Sequence, residues 1–579
     1  MAKLTKVENV RMTLALLKAH GIKHVVVSPG GTNIPLVQGL QQDSFFHCYS
    51  VVDERSAMYF AIGLYLQLGE PIATTCTSAQ ATRNYIPGLT EAYYKHTPIL
   101  AITHSKHYRF THQDYMQAPN QVSLPEDSVK KSYALPYIAT SDDRMQCVRM
   151  INEAILELTH HNSGPVQLNI PILDSERLSF VETELPKVRV IKRYLPNQEW
   201  DITFKDKRVM ILAGEHIEYT EKERKVLEEF VETHNAILYT NHLSNVHAKN
   251  EIQGNLLVTS MSKQLFDDQY APDILITIGG QTGDYSIFGK LYNNSNCEHW
   301  RISTDGDVVD TYDKLTKVFQ CDILTYFNRV NSLDVTSDNS YYSEWAQAMV
   351  SLNTDEIELP LSNIYVAQQL HKIIPDGSTI NFSIVNSLRS WFFFSLDKTI
   401  NCFSPVAAFG IDGGMSMALG QAYNSKKLSF FITGDLAFFY DMNCLGIRGL
   451  GKNIRIVLIN NNKGAEFTVF GDLKDIDSNT YISAYGHNGS AEGWCQANDF
   501  KYIRATTKDD IKAYAEQFVL DDGQSKVLEV VTSDENEEIA LKEIITTNFK
   551  RKKDDSLKGH IKDILGDNVV SIIRGIIGR

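Results

Sequence analysis

Leu428-Ser429-Phe430-Phe431-Ile432-Thr433-Gly434-Asp435-Leu436 and, further on, Ile454-Arg455-Ile456-Val457-Leu458-Ile459-Asn460-Asn461-Asn462-Lys463-Gly464 decide the fold of this chain. Each begins as an apolar run and stops at turn residues, as a buried parallel strand ending in a tight turn should. Asp435 therefore falls just past the carboxyl end of one strand, and Asn462, 27 positions later, just past the end of another. Open α/β sheets bind ligands at that edge. A carboxylate, an amide oxygen and the Gly464 carbonyl meeting there form an oxygen set suited to Mg2+ (or Mn2+), a cation that keeps substrate phosphates in its shell. The residues point to a diphosphate with its cation, although a Gly-Asp turn and later asparagines also suit ordinary strand ends.

Outward from this pair the same pattern repeats. Strand-like runs at Val25 to Ser28, Ile72 to Cys76, Ile99 to Thr103 and Val166 to Ile170 alternate with helical segments such as Arg55 to Leu68, so the expected class is α/β, with three doubly wound domains. Their boundaries are expected at residues 1–180, 190–345 and 360–540, with a basic amphipathic tail over 541–579. A charged stretch from Asp174 to Asp201 reads as a linker. In the middle block Gly279-Gly280-Gln281-Thr282-Gly283 lacks the G-x-G-x-x-G of a dinucleotide site and reads as a strand-end loop. No internal sequence repeat is visible.

Composition agrees with a large soluble enzyme. Of 579 residues 43% are hydrophobic, enough for more than one core. Acidic residues outnumber basic ones 70 to 56, and the net charge of −14 argues against nucleic-acid partners. The eight cysteines show no CxxC and no paired spacing, so metal clusters and a disulfide framework are not expected. The opening MAKLTKVENVRMTLALLKAHGIKH carries charges throughout and reads as an amphipathic helix, not a signal peptide. No run of about 18 apolar residues appears. A reducing cytoplasm is the expected compartment.

Five stretches in chain order, VVVSPGGTNIPLV from Val25, DERSAMYFAIGLYLQLGEPIATTCTSAQATRNYIPGLTEAYY from Asp53, GPVQLNIPI from Gly164, FGIDGGMSMALGQA from Phe409, and GDLAFFYDMN with VLINNNKGAEF, carry a resemblance. The chain resembles the thiamine diphosphate-dependent enzymes and, among them, the 2-succinyl-5-enolpyruvyl-6-hydroxy-3-cyclohexene-1-carboxylate synthases of the menaquinone pathway, over about residues 1 to 540. The resemblance implies a pyrimidine-binding first domain, a central spacer that carries a flavin in some relatives, and a pyrophosphate domain. It implies that thiamine diphosphate is bound by Glu54, Thr77, Ser78, Ser387, Gly410, Ile411, Gly434, Asp435, Leu436, Ala437, Asn462, Gly464 and Ala465, with the cation on Asp435, Asn462 and Gly464. Glu54 would be catalytic, hydrogen-bonded to the pyrimidine N1′ so that the cofactor can lose its C2 proton; such a carboxyl needs a low-dielectric site. Taken alone, Asp53-Glu54 reads as a helix start, one residue capping and the other complementing the dipole. Ile411 would hold the cofactor bent, and in isolation it reads as core. The family sets the glutamate of one protomer against the metal site of its neighbour, which implies a homodimer or homotetramer.

Departures from the family bear on the substrate. Gly31-Thr32-Asn33 precede Ile34-Pro35 where the family carries Ser-Arg-Ser before Thr-Pro. Pro405-Val406-Ala407 stand for Asn-Arg-Gly. Trp391 occupies a further arginine position, with Arg389 two places earlier, and Thr77-Ser78-Ala79-Gln80-Ala81 replace Thr-Ser-Gly-Thr-Ala. Neutral side chains do not reproduce bidentate recognition of carboxylates, so the family pair, 2-oxoglutarate and isochorismate, is poorly served. Thr32, Asn33, Lys106, Gln121 and Arg389 are the candidate substrate residues. The expected activity is decarboxylation of a 2-oxo acid with carboligation to a different small-molecule acceptor; an acetolactate synthase-type or simple decarboxylase, and a non-catalytic cofactor-binding protein, are the rivals.

From Leu541 to Arg579 the chain carries Lys542, Lys550, Arg551, Lys552, Lys553, Lys558, Lys562, Arg574 and Arg579, and Ile561, Ile564, Leu565, Ile572 and Ile576 recur at helical spacing. A helix docked on the body is one reading. Peripheral contact with an anionic membrane, lysines on headgroups and isoleucines in the interface, is the other.

Overall fold

Unbroken apolar runs become strands covered on both faces, because parallel pairing needs crossover helices and these lie on each side of the sheet. The computed structural model describes residues 2–294, 296–469 and 476–550, and the doubly wound α/β architecture expected from the runs is what it contains. The chain divides into two units, one of Met1–Gln198 with Asp305–Gln320, the other of Glu199–Thr304 with Cys321 onward.

The first unit holds a parallel sheet in the spatial order His47–Ser50, His24–Val27, Ile72–Cys76, Ile99–Lys106, Val166–Ile172, Lys131–Ala134. Successive side chains leave on opposite faces. Val25, Ala73, Leu100 and Ile102 enter one core, while Val26, Ile72, Ile99 and Ala101 enter another. The stretch expected as a linker from Asp174 to Asp201 is, as far as Gln198, part of this unit. Phe180–Thr183 pairs antiparallel with Ala2–Thr5, and Lys192–Tyr194 pairs in parallel with Leu315–Phe319. Arg189 fastens the second pair through Leu315 O at 2.7 Å and Asp310 Oδ2 at 2.5 Å. Residues 305–320, expected in the central block, fall with the first unit in this division.

Two sheets lie in the second unit. One runs Glu251–Ile252, Ala236–Tyr239, Val209–Ala213, Ile274–Ile278, Glu298–Ile302, all parallel. The other runs Asn401–Phe403, Thr379–Phe382, Ser429–Gly434, Ile454–Asn460, Lys526–Val531, Lys501–Ala505, also parallel. Phe430, Ile432, Val457 and Leu528 face one core and Phe431, Ile456, Leu458 and Val527 the other. Counted in chain order within each sheet, this sheet and that of the first unit share the order 2-1-3-4-6-5. Two segments without visible sequence repeat thus fold to one topology, and in each the order reverses between the first and third strands, where such sheets open a ligand crevice.

The last helix, Asp534–Thr547, runs through the boundary expected at 540/541, with Leu541, Ile544 and Ile545 in the core. A tail therefore cannot begin at Leu541; the amphipathic repeat from Ile561 onward, with the membrane contact it suggested, lies outside the described residues. Among those residues no helix is long and apolar enough to cross a membrane.

The glycines of the central loop close backbone on backbone. A Cβ on Gly214 would sit 1.8 Å from Gly280 O, and Gly280 N donates to Glu215 O at 2.9 Å while Glu215 N donates to Gln281 O at 2.9 Å. Because the obstacle is a carbonyl held in a backbone ladder, Gly214→Ala is expected to cost roughly 1–3 kcal/mol by overpacking. A lowered urea midpoint at unchanged slope is the measurement.

Candidate active site

Register sets the site. Gly434 pairs with Ile459 across the parallel strands Ser429–Gly434 and Ile454–Asn460, so the residues just past the two ends become neighbours. Asp435, first residue of the helix Asp435–Asp441, is buried. Its Oδ1 accepts from Leu436 N at 2.7 Å, and its Oδ2 accepts from Asn461 N at 3.1 Å and lies 3.1 Å from His487 Nε2. Burial pushes this carboxyl above its ordinary value, and the Leu436 N–H, the His487 ring and the Asn462 N–H pull the other way.

Around it lies a cavity of about 280 Å³, just under the ~300–1,000 Å³ usual for small-molecule pockets. Ser387, Ile411, Gly434, Asp435, Leu436 and Ala437 line one part, and Gly464 and Ala465 another. Of the three successive asparagines 460–462, the one in this lining is Asn461, one position before the expected Asn462. Asn461 Oδ1 is buried with no hydrogen-bond partner. Asn462 has a left-handed backbone, φ 64°, and its N–H donates to Asn460 Oδ1 at 3.3 Å. Gly434 leaves the space open, since a Cβ there would meet nothing within 4 Å. Gly410 sits where a Cβ would press on Asp412 Oδ1 at 2.5 Å.

A desolvated carboxylate, an orphaned amide oxygen and a side-chain-free wall suit a hard cation that shares its shell with phosphate oxygens. The residues present fit a diphosphate with its divalent cation.

Three residues at the cavity or in contact with Asp435 escaped the sequence reading. Val385 carries φ 64° and ψ −126°, a costly conformation for a β-branched residue of the kind that collects at functional sites. His487, in a turn-rich stretch, reaches Asp435 only through the fold. Glu537 lies in the acidic run DENEEIALKE, where nothing distinguishes it from its neighbours. It is buried, lines the cavity, and accepts Asn363 N at 2.9 and 3.1 Å. Arg389 is engaged by Glu466 at 3.1 and 3.2 Å and lies over the Tyr285 ring, so Glu466 already neutralises its charge.

The remaining sequence candidates meet in the first unit, at the carboxyl edge of its sheet. Thr32 Oγ1 lies 2.7 Å from Thr77 Oγ1 and accepts Ser78 N at 3.0 Å. Gln121 accepts Ala79 N at 2.9 Å and donates to His104 O and Asn169 Oδ1. Asn33 donates to Ser28 O at 2.9 Å, and Lys106 pairs with Asp174. Glu54 opens the helix Glu54–Leu68 behind the capping Asp53, whose Oδ1 accepts Ser56 N at 2.7 Å. Asn84 Nδ2 donates to Glu54 Oε2 at 3.1 Å, and the residue is half-buried, short of the low-dielectric surroundings expected of it.

Residues 9–124 match the family model of the thiamine pyrophosphate enzyme N-terminal TPP binding domain. The chain is 34% identical over 554 residues to the 2-succinyl-5-enolpyruvyl-6-hydroxy-3-cyclohexene-1-carboxylate synthase of Phocaeicola vulgatus, covering 93% of this chain and 97% of that one. The chain belongs to this synthase family. The Bacteroides thetaiotaomicron synthase is 33% identical over 567 residues, 94% of this chain and 99% of the relative, and the Bacteroides fragilis synthase is 33% identical over 515 residues. As a member of the family the chain is a thiamine diphosphate-dependent enzyme, and the clusters at the two sheet edges are its candidate active-site residues.

Burial raises Glu537 from the ordinary 4.5 to about 8, opposed by the Asn363 N–H. Between those values the folded chain keeps a proton that the unfolded chain has lost, so this group's stabilising contribution is full below the lower value and falls as pH rises to the higher. Glu537→Gln is expected to flatten that slope. Thermal midpoints of both proteins across the window check it: wild type should lose ground to the variant as pH rises.

Proposed function

We propose that this chain catalyses thiamine diphosphate- and Mg2+-dependent decarboxylation of a 2-oxo acid, with carboligation of the remaining unit to an acceptor other than isochorismate. The observation that carries the reading is the buried Asp435 carboxyl beside the orphaned Asn461 Oδ1, in a chain similar to synthases along nearly its whole length. The cofactor, when bound, supplies a carbanion equivalent at the former carbonyl carbon.

The chain's residues do the rest. Asp435, the amide of Asn461 or Asn462 and the Gly464 carbonyl hold the cation and with it the diphosphate; Mn2+ would serve the same oxygens. Ser387, Gly410, Ile411, Leu436, Ala437 and Ala465 shape the wall. Thr77 and Ser78 support the pyrimidine end, and Glu54 holds a proton at N1′. We also infer a homodimer or homotetramer: Val52, Tyr59, Phe60, Leu66 and Tyr94 are exposed on the first unit, and Tyr440 on the second. Covering the helix Glu54–Leu68 by a second copy would give Glu54 the dry surroundings it lacks in one chain. The cytoplasm is the compartment that suits it.

A different acceptor is supported by the charges. Arg389 is occupied by Glu466 and Lys106 by Asp174, and Thr32, Val406 and Trp391 stand where the family has arginines.

Calorimetry should find tight cofactor binding only with a divalent cation, and none in Asp435→Ala; unchanged affinity there would remove the assignment. Glu54→Gln should keep the cofactor yet slow hydrogen–deuterium exchange at its C2 by about a hundredfold or more, the scale of general acid–base catalysis. With pyruvate, 2-oxoglutarate, isochorismate and a set of aldehydes, mass spectrometry should find carbon dioxide release and a ligated product. Efficient turnover of 2-oxoglutarate with isochorismate would overturn the acceptor proposal alone.

A further inference from the structure

At position 31 the chain has glycine where the family's loop has serine, and the space so vacated is taken by a residue from another part of the sequence. The guanidinium of Arg177, in the turn after the strand Val166–Ile172, places Nη1 3.0 Å from where a Gly31 Cβ would be. A Cβ at 31 would press on it, and a longer side chain there would compete for its place. Gly31 lies beside Thr32, whose hydroxyl ties the loop to Thr77 and Ser78, so Arg177 stands over the first-unit cluster at the sheet's carboxyl edge.

Arg177 takes no hydrogen bond or ion pair among the described residues, and its Nε is buried without a partner. The acids nearby accept hydrogen bonds from other donors. Asp174 accepts from Lys106 and from Tyr115 Oη at 3.1 Å, and Glu176 accepts from Tyr137 Oη at 2.9 Å. Lys106, then Tyr115 and Arg177, hold the Asp174 carboxyl below its ordinary value. Lys106 takes the Asp174 carboxylate as its ion-pair partner, and the Arg177 Nε is left without an acceptor. An unpaired guanidinium with a buried donor is unfavourable unless an anion completes it, and its planar fork matches a carboxylate.

We propose that Arg177 binds a substrate carboxylate over the Gly31–Thr32 loop, replacing with a guanidinium from a different turn the arginine that the loop lacks. Gly31 and Arg177 act as one unit, the glycine making the room. This inference rests on the proposed 2-oxo acid chemistry, and it makes Arg177 a determinant of substrate specificity.

The test uses holoenzyme with Mg2+ and the 2-oxo acid from which wild type releases carbon dioxide. Arg177→Met should raise KM about tenfold or more with kcat little changed, the signature of a lost binding contact. Gly31→Ser should reproduce this, Arg177→Lys should restore part of it, and cofactor affinity should be the same throughout. An unchanged KM in Arg177→Met, or a loss of cofactor affinity equal to the change in KM, would overturn the proposal. Should no 2-oxo acid be turned over, the functional reading fails by itself, and the site is then read by calorimetry with glutarate. Glutarate binding to wild type and not to Arg177→Met supports the carboxylate site. No glutarate binding to wild type, or inorganic phosphate binding as tightly, overturns it.

Discussion

The parallel register between Ser429–Gly434 and Ile454–Asn460 is the constraint on which the second unit's chemistry depends. Pairing Gly434 with Ile459 sets the peptide N–H of Asn461 on the Asp435 carboxylate. A shift by one residue would also turn each strand inside out, sending Phe430 and Ile432 to the face that now holds Phe431. Core packing and ligand geometry are therefore fixed by one set of hydrogen bonds. Site precision of this kind costs no separate device, because the sheet cannot relax without losing its core.

In both six-stranded sheets the strand order reverses between the first and third strands, and both have their clusters there. In the first unit the loop at Gly30–Asn33 meets Thr77 and Ser78; in the second, Ser383–Ser387 meet Gly434 and Asp435 around the cavity. The common cause is topological: strands that part company leave their terminal peptide groups without a crossover helix over them. In the other sheet of the second unit, the corresponding edge brings Gly214 and Gly280 backbone against backbone. Glycine thus serves two opposite ends in this chain, opening space at Gly434 and closing it at Gly214.

Charge is handled with similar economy. Lys106 with Asp174, Arg389 with Glu466 and Lys463 with Asp534 are cations placed near the sheet edges and neutralised by acids. Such pairs contribute little net stability in partly solvated settings, but they fix long side chains and cancel attraction for anions. Arg177 forms no such hydrogen-bonded pair among the described residues, and its Nε is left without an acceptor.

Periodicity and motif spacing were enough, from the sequence alone, to determine the α/β class, the strands at 72–76 and 429–434, the helix opening at Glu54 and the place of Asp435 just past a strand's carboxyl end, because apolar runs, glycine turns and caps are local properties. The family resemblance rested on the same local stretches. What the sequence could not decide is what long-range packing decides. Leu315–Phe319 finds Lys192–Tyr194 far back along the chain. Leu541 continues a helix because its side chain finds a core. Asn461 enters the cavity, in place of Asn462, because the backbone turns left-handed at 462. Glu537 and Arg177 acquire meaning only through the surfaces they meet, the one a dry cavity and the other a glycine more than a hundred residues upstream. Burial and charge compensation arise from contacts between distant segments, and no local pattern in the chain encodes them.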